Sequence, residues 1–137
     1  MPTSFTFSND RALIDRDLVH RWLSEESYWA KGRSRATQDA AIDASRNYSI
    51  RDDADRQVGY ARVVTDGVTF AWLCDVFVDE RARGHGIGRM LVEGVLEDLR
   101  ESSTVKRIML ATSTAGGLYA QLSLIHISEP TRQAEIS

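Results

Sequence analysis

The chain has 137 residues, 42% hydrophobic and 27% charged, which is enough for one packed domain and short of two. Lys and Arg number 17 against 20 Asp and Glu, and the formal net charge of -3 leaves no basic footprint for general nucleic-acid binding. A single cysteine, Cys74, excludes an intramolecular disulfide and a cysteine-based zinc site, and the opening MPTSFTFSND has no signal-peptide pattern, so a cytoplasmic setting is expected.

Taken in chain order, Thr3 to Ser8 alternates polar and aromatic positions and predicts a short strand. From Asp15 onward Leu18, Val19, Trp22 and Leu23 recur at helical spacing, predicting a helix that ends before Lys31-Gly32. A weaker helix is predicted through Ala36, Ala40, Ala41 and Ala44. Asn47 to Arg51 and Gln57 to Val64 read as strands joined by a polar turn. Asp66-Gly67 then marks a hairpin, because that pair tolerates positive φ. Val68 to Val78 is a long strand rich in β-branched and aromatic residues. After the glycine-rich RGHGIG (83–88), a helix carries Leu91, Val92, Val95, Leu96 and Leu99 on one face. Lys106 to Ala111 predicts a buried strand and Thr114 to Gln121 a last short helix. The order β-α-α-β-β-β-α-β-α is that of a mixed α/β domain. No apolar run approaches the ~20 residues that span a bilayer.

The tail differs in kind. LSLIHISEPTR (122–132) resembles the translation of a transposase-based sequencing adapter. On this reading residues 1–121 form the domain, 122–137 are a non-native tail, and the sheet lacks its last strands; a native, polar C-terminal strand is the alternative.

The chemistry centres on Arg83-Gly84-His85-Gly86-Ile87-Gly88. Glycines let successive backbone N–H groups converge without Cβ interference. A helix N-terminus adds orphan donors and partial positive charge. Together they suit a pyrophosphate, with charge-assisted help from Arg83 and Arg89. The dinucleotide fingerprint would need glycine at position 89, which is Arg89, and the G-K-[S/T] of the Walker motif is absent. A purely structural strand-to-helix turn would use the same glycines; the flanking strand, arginine and amphipathic helix favour the anion seat.

This stretch resembles the acetyl-CoA-binding motif of the GNAT superfamily of N-acetyltransferases, [Q/R]-x-x-G-x-[G/A], and Cys74 to Glu80 resembles the family's central strand and its exit. TDGVTFAWLCDVFVDERARGHGIGRML is similar to an uncharacterised bacterial subgroup. The resemblance implies a GNAT-type mixed central sheet flanked by helices and acetyl-CoA as co-substrate, with no metal. It implies that the pantetheine arm pairs with Val76, Phe77 and Val78 where two strands splay. The pyrophosphate would sit on the N–H groups of Gly84, Gly86, Ile87, Gly88 and Arg89. The implied function is N-acetylation of a small-molecule or protein amine by a monomer or homodimer, with no nucleic acid or membrane partner. The alternatives are another acyl-CoA donor, a noncatalytic acyl-CoA-binding module, or a truncated inactive chain.

Tyr119 matches the place of the family's acid; a packed aromatic is the alternative. Asp75 is the candidate base or ammonium ligand, or else a structural hydrogen-bond acceptor for a neighbouring loop. Glu26 is a second candidate base. Tyr28, Trp29, Lys31 and Arg33 form either an acceptor-site loop, suited to a substrate with an anionic group, or a closure of the helix onto the core with solvated cations. Cys74 reads as a small core residue, and His20, His85 and His126 show no metal-ligand spacing. The family's Tyr-x-x-x-Gly-Phe is absent after Tyr119, at the point where the adapter-like tail begins.

Overall fold

The computed structural model describes residues 4–113 and 120–126. Strand β1 is Phe5–Ser8. Asp10 then caps a short 3-10 turn at Arg11–Leu13. The Asp15 carboxylate accepts the Leu18 N–H at 3.1 Å and starts α1, Arg16–Arg21, which runs into a π turn at Trp22–Glu26. Sequence periodicity carries this helix to Ala30, but the structure ends it at Glu26. The hydroxyls of Ser24 and Ser27 donate to the carbonyls of His20 and Leu23 at 2.6 Å, competing with the helical ladder. The chain then folds back, with the Gly32 N–H on the Ser24 carbonyl at 3.0 Å. Helix α2, Arg35–Asp43, starts at Ser34, whose hydroxyl accepts from the Thr37 N–H.

Strands β2 (Arg46–Asp52), β3 (Gln57–Thr65), β4 (Phe70–Val78), β5 (Arg107–Ser113) and β6 (Ala120–His126) follow, with α3 (Ile87–Ser102) between β4 and β5. The six strands lie side by side in chain order. The β4–β5 pair is parallel and the others are antiparallel. This is the mixed sheet flanked by helices that the resemblance implied. Of the helix predicted over 114–121, residues 114–119 lie outside the described residues, and Ala120 and Gln121 stand in β6. That strand pairs with β5 from Arg107–His126 to Ser113–Ala120, spanning both sides of the Gln121–Leu122 boundary. An exposed row of β5 backbone donors and acceptors is thereby satisfied.

Two apolar clusters lie against the sheet. On one face Ile87, Leu91, Val95 and Leu99, a helical stripe of α3, bury against Tyr48, Ile50, Ala61, Val63, Ala71, Leu73 and Ile108. A second cluster joins Val19, Trp22 and Leu23 to Ile42, Tyr60 and Phe77. Helix α3 approaches the sheet where side chains are absent. A Cβ on Gly94 would stand 2.3 Å from the Phe7 ring, and one on Gly59 would stand 3.0 Å from Ile87 Cγ2. Asp98 on α3 accepts from Tyr48 Oη at 2.7 Å and Asn9 Nδ2 at 2.8 Å, tying the helix to β2 and to the loop after β1. Among the described residues no helix is long and apolar enough to cross a membrane.

Gly94→Val is expected to cost about 1–3 kcal/mol through overpacking against Phe7. Urea unfolding checks this, and the penalty shrinks when the change is made in a Phe7→Ala background.

Candidate active site

The end of β4 and the start of α3 form one continuous turn. The Asp79 N–H bonds the Val58 carbonyl at 2.9 Å, closing β4 onto β3. A 3-10 turn at Glu80–Ala82 follows. Gly84 and Gly86 then take φ of +89° and +75°, the left-handed region that glycine enters without a Cβ penalty. No atom lies within 4 Å of where a Cβ would stand on either, so the turn is open on that side. The first rung of α3 is the Met90 N–H on the Gly86 carbonyl at 3.0 Å. The N–H groups of Ile87, Gly88 and Arg89 stand ahead of it at the positive end of the 16-residue helix. Gly86 stands at the cap position and supplies no side chain to those donors. Arg83 turns back, donating from Nε to the Val78 carbonyl at 3.1 Å with its guanidinium 5.5 Å from the Phe77 ring centre. Arg89 pairs with Glu93 at 3.2 Å.

Beside this turn β4 leaves β5. The parallel pairing runs only from Phe70–Arg107 to Leu73–Leu110. On its other edge β4 stays with β3 to Val78, but with a bulge. Tyr60 pairs with Phe77 and Arg62 with Cys74, so two residues, Asp75 and Val76, stand against Ala61 alone. Asp75 has φ +52°. Short polar side chains tolerate this region better than most, though it still costs about 1–2 kcal/mol. The bulge also reverses the strand's faces. Ala71 and Leu73 point to the α3 core, and beyond the bulge Val76 and Val78 do so, while Phe77 joins the opposite cluster and stacks on Trp22 at 5.2 Å. Simple alternation puts Asp75 with Leu73 and Phe77 on one face; the structure sends Leu73 to the α3 core and Phe77 to the opposite cluster, and turns the Asp75 carboxylate to Arg33, Arg62 and Trp29.

The Asp75 carboxylate, 2% exposed, is gripped from several sides. Arg33 Nη1 and Arg62 Nε each reach Oδ2 at 2.8 Å, Arg33 Nη2 lies 3.4 Å from Oδ1, and Trp29 Nε1 donates to Oδ1 at 3.1 Å. Burial raises its pKa, but the hydrogen bond from Arg33 and the charge and hydrogen bond of Arg62 outweigh it, and the net shift is downward. Burial pushes the neighbouring Cys74 thiol up to about 11 and the Tyr60 hydroxyl also upward. The loop from Ser27 to Arg33 is itself fixed. Its Ala30 N–H bonds the Ser27 hydroxyl at 3.2 Å, and His20 Nε2 donates to the Arg33 carbonyl at 2.8 Å.

The fold thus gathers Trp29, Arg33 and Asp75 into one cluster, with Tyr28 edge-on to Trp29 at 5.3 Å between centroids. It places Val76, Phe77 and Val78 on the free β4 edge next to the glycine turn. Lys31 and Glu26 are exposed, and Tyr119 lies outside the described residues. Arg62, central to the cluster, escaped the sequence reading. Its signal is a cation within the otherwise apolar run Val58 to Val64, a position that demands a buried partner.

A strand that parts from its parallel neighbour and feeds a glycine turn at a helix start is the arrangement that the family resemblance implied. The family model described as "Acetyltransferase (GNAT) family" matches residues 16–122. The chain belongs to that family. A GNAT-family protein from Xanthomonas campestris pv. campestris, described as an acetyltransferase, is 39% identical, with a TM-score of 0.75 over 86% of this chain and 82% of that one. A protein of Gibberella zeae named as an acetyltransferase is 27% identical over 137 residues, 85% of this chain and 76% of its own. A GNAT acetyltransferase of Elizabethkingia anophelis with acetyl-CoA bound shares the fold at 16% identity and a TM-score of 0.61, over 82% of this chain and 67% of that one.

Asp75→Asn keeps the shape and tolerates the left-handed backbone but removes the charge between two guanidiniums. We expect a loss of about 3–5 kcal/mol at neutral pH in urea unfolding. Because the folded pKa lies below the unfolded value of about 3.9, the Asp75 contribution is complete above that value and disappears as pH falls through the folded pKa. The gap between wild type and variant therefore narrows under acid.

Proposed function

We propose that this chain transfers the acetyl group of acetyl-CoA to an amine of a small molecule or protein. The observation that supports this most directly is the junction of β4 and α3. Among the described residues, a strand edge left unpaired beyond Leu73 runs into the backbone N–H groups of a helix start whose cap position is a glycine. The residues present fit the co-substrate. Val76, Phe77 and Val78 would offer backbone groups to the pantetheine amides, and Gly84, Gly86, Ile87, Gly88 and Arg89 would offer N–H donors to the pyrophosphate. Acetyl-CoA supplies an activated acyl carbon when bound.

The chain's own residues orient and exclude. The π turn, the loop from Ser27 to Arg33 and β4 form one wall, so an amine held there is presented to the β4 edge, which supplies proximity. Asp75 serves this reading as a positioning residue. A carboxylate held by two guanidiniums and an indole N–H has little tendency to take up a proton, so amine deprotonation falls to another group or to water. With its thiol held protonated, Cys74 is no nucleophile, and transfer proceeds directly from thioester to amine. Tyr119 is the proposed acid for the leaving thiolate, on the family resemblance.

Gly86→Glu, which sets bulk and negative charge on the phosphate seat, is expected to abolish coenzyme A binding in calorimetry. Gly67→Glu at the β3–β4 hairpin carries a similar backbone strain (φ +76°) and retains binding. Equal binding by both variants would make the turn purely structural. Tyr119→Phe is expected to lower kcat about 10²–10⁴-fold with little change in coenzyme A affinity. Unchanged turnover would remove Tyr119 from the mechanism, and coenzyme binding without release of free thiol to any amine would point to a noncatalytic acyl-CoA module.

A further inference from the structure

The cluster around Asp75 is unbalanced in charge. Arg33 and Arg62 are 19% and 15% exposed at the side chain, and Asp75 is the only anion among the described residues that pairs with them. Tyr60 and Cys74, the other titratable groups acting on Arg62, are neutral at pH 7. The cluster therefore carries one net positive charge, largely withdrawn from water, an arrangement that an anion would relieve. It also has donors to spare. Arg62 spends Nε on Asp75 and Nη1 on Ser45 Oγ at 3.1 Å. Arg33 spends Nη1 on Asp75 and on Gln38 Oε1 at 3.0 Å. Arg62 Nη2 and Arg33 Nε make no hydrogen bond among the described residues.

Two further features sit with that charge. Tyr28 and Trp29 are 50% and 43% exposed, large aromatic surface for a loop tied to a buried cluster. Asp75 itself lies on the β4 edge that is unpaired beyond Leu73 among the described residues, so a molecule anchored on the arginines reaches that edge with no long spacer.

Resting on the acetyltransferase reading above, we propose that the acceptor is a carboxylate-bearing primary amine with an aromatic or apolar body, an amino-acid-like molecule. Its carboxylate docks on the spare donors of Arg33 and Arg62 and its body packs on Trp29 and Tyr28. A single excess positive charge matches a monoanion, and planar guanidinium forks match a carboxylate. In the reaction the neutral amine nitrogen bonds to the acetyl carbon and the carbon–sulfur bond breaks. The amine proton ends on the thiolate, giving the N-acetyl acid and free coenzyme A.

The test compares phenylalanine with phenylalaninamide and phenethylamine, following thiol release from acetyl-CoA by the full chain. The acid is expected to exceed both in kcat/KM by about tenfold to a hundredfold, the range of a hydrogen bond to a charged group, chiefly through KM. Arg62→Gln is expected to bring the ratio close to one, and Arg62→Lys to keep part of it. A second readout needs no turnover: N-acetylphenylalanine should raise the melting temperature of the wild type more than its amide does, and not that of Arg62→Gln. Equal rates for acid and amide, or a preference unchanged in Arg62→Gln, would overturn the proposal while leaving the acetyltransferase reading intact. Failure of acetyl-CoA to bind the folded wild type would instead remove that reading, and this proposal with it.

Discussion

An aspartate with a left-handed backbone, buried between two guanidiniums, sets the geometry of this molecule. Asp75 at φ +52° forces two residues of β4 to stand against one of β3. The strand bends there, its faces exchange, and its pairing with β5 stops. Such a conformation persists in a non-glycine residue when its surroundings over-determine it. Here the hydrogen bonds from Arg33, Arg62 and Trp29 do so, and each comes from a different part of the chain's local geometry: the end of the loop, the neighbouring strand and the loop's aromatic pair.

The consequences divide between the two faces of the sheet. On one face the bulge lets Leu73 and Val76 both address the core that α3 covers, so the helix packs along β4 on either side of the bend. The close approaches at Gly59 and Gly94 settle how near α3 lies to the sheet. Its first turn consequently lies beside Val78. On the other face Phe77 turns into the cluster of Trp22 and Tyr60, and Arg83 lies over its ring. One strand irregularity thus brings a helix start, a free strand edge and a cationic, aromatic-rimmed cluster into one neighbourhood.

The charges in that neighbourhood bear on the proton affinity of Asp75. A lone carboxylate on a central strand has the look of a base. Beside two guanidiniums and an indole N–H its proton affinity is lowered rather than raised. The cations of the loop likewise divide: Lys31 stays exposed, whereas Arg33 is drawn in by Asp75 and Gln38.

Local chemistry was readable without coordinates. The glycine turn, the apolar stripe of α3, the Asp66-Gly67 hairpin and the β-branched run of β4 follow from periodicity and positive-φ preference, which act between near neighbours in the chain. Other features were decided only by the tertiary structure. The early end of the first helix depends on serine hydroxyls and on a loop that returns to it, and the strand at Ala120–His126 on the open edge of β5. The union of Arg33, Arg62 and Asp75 depends on residues 42 and 13 positions apart meeting across a bulge. Periodicity carries no record of a bulge, because one inserted residue inverts every later position of the strand, and only the partner strand counts it.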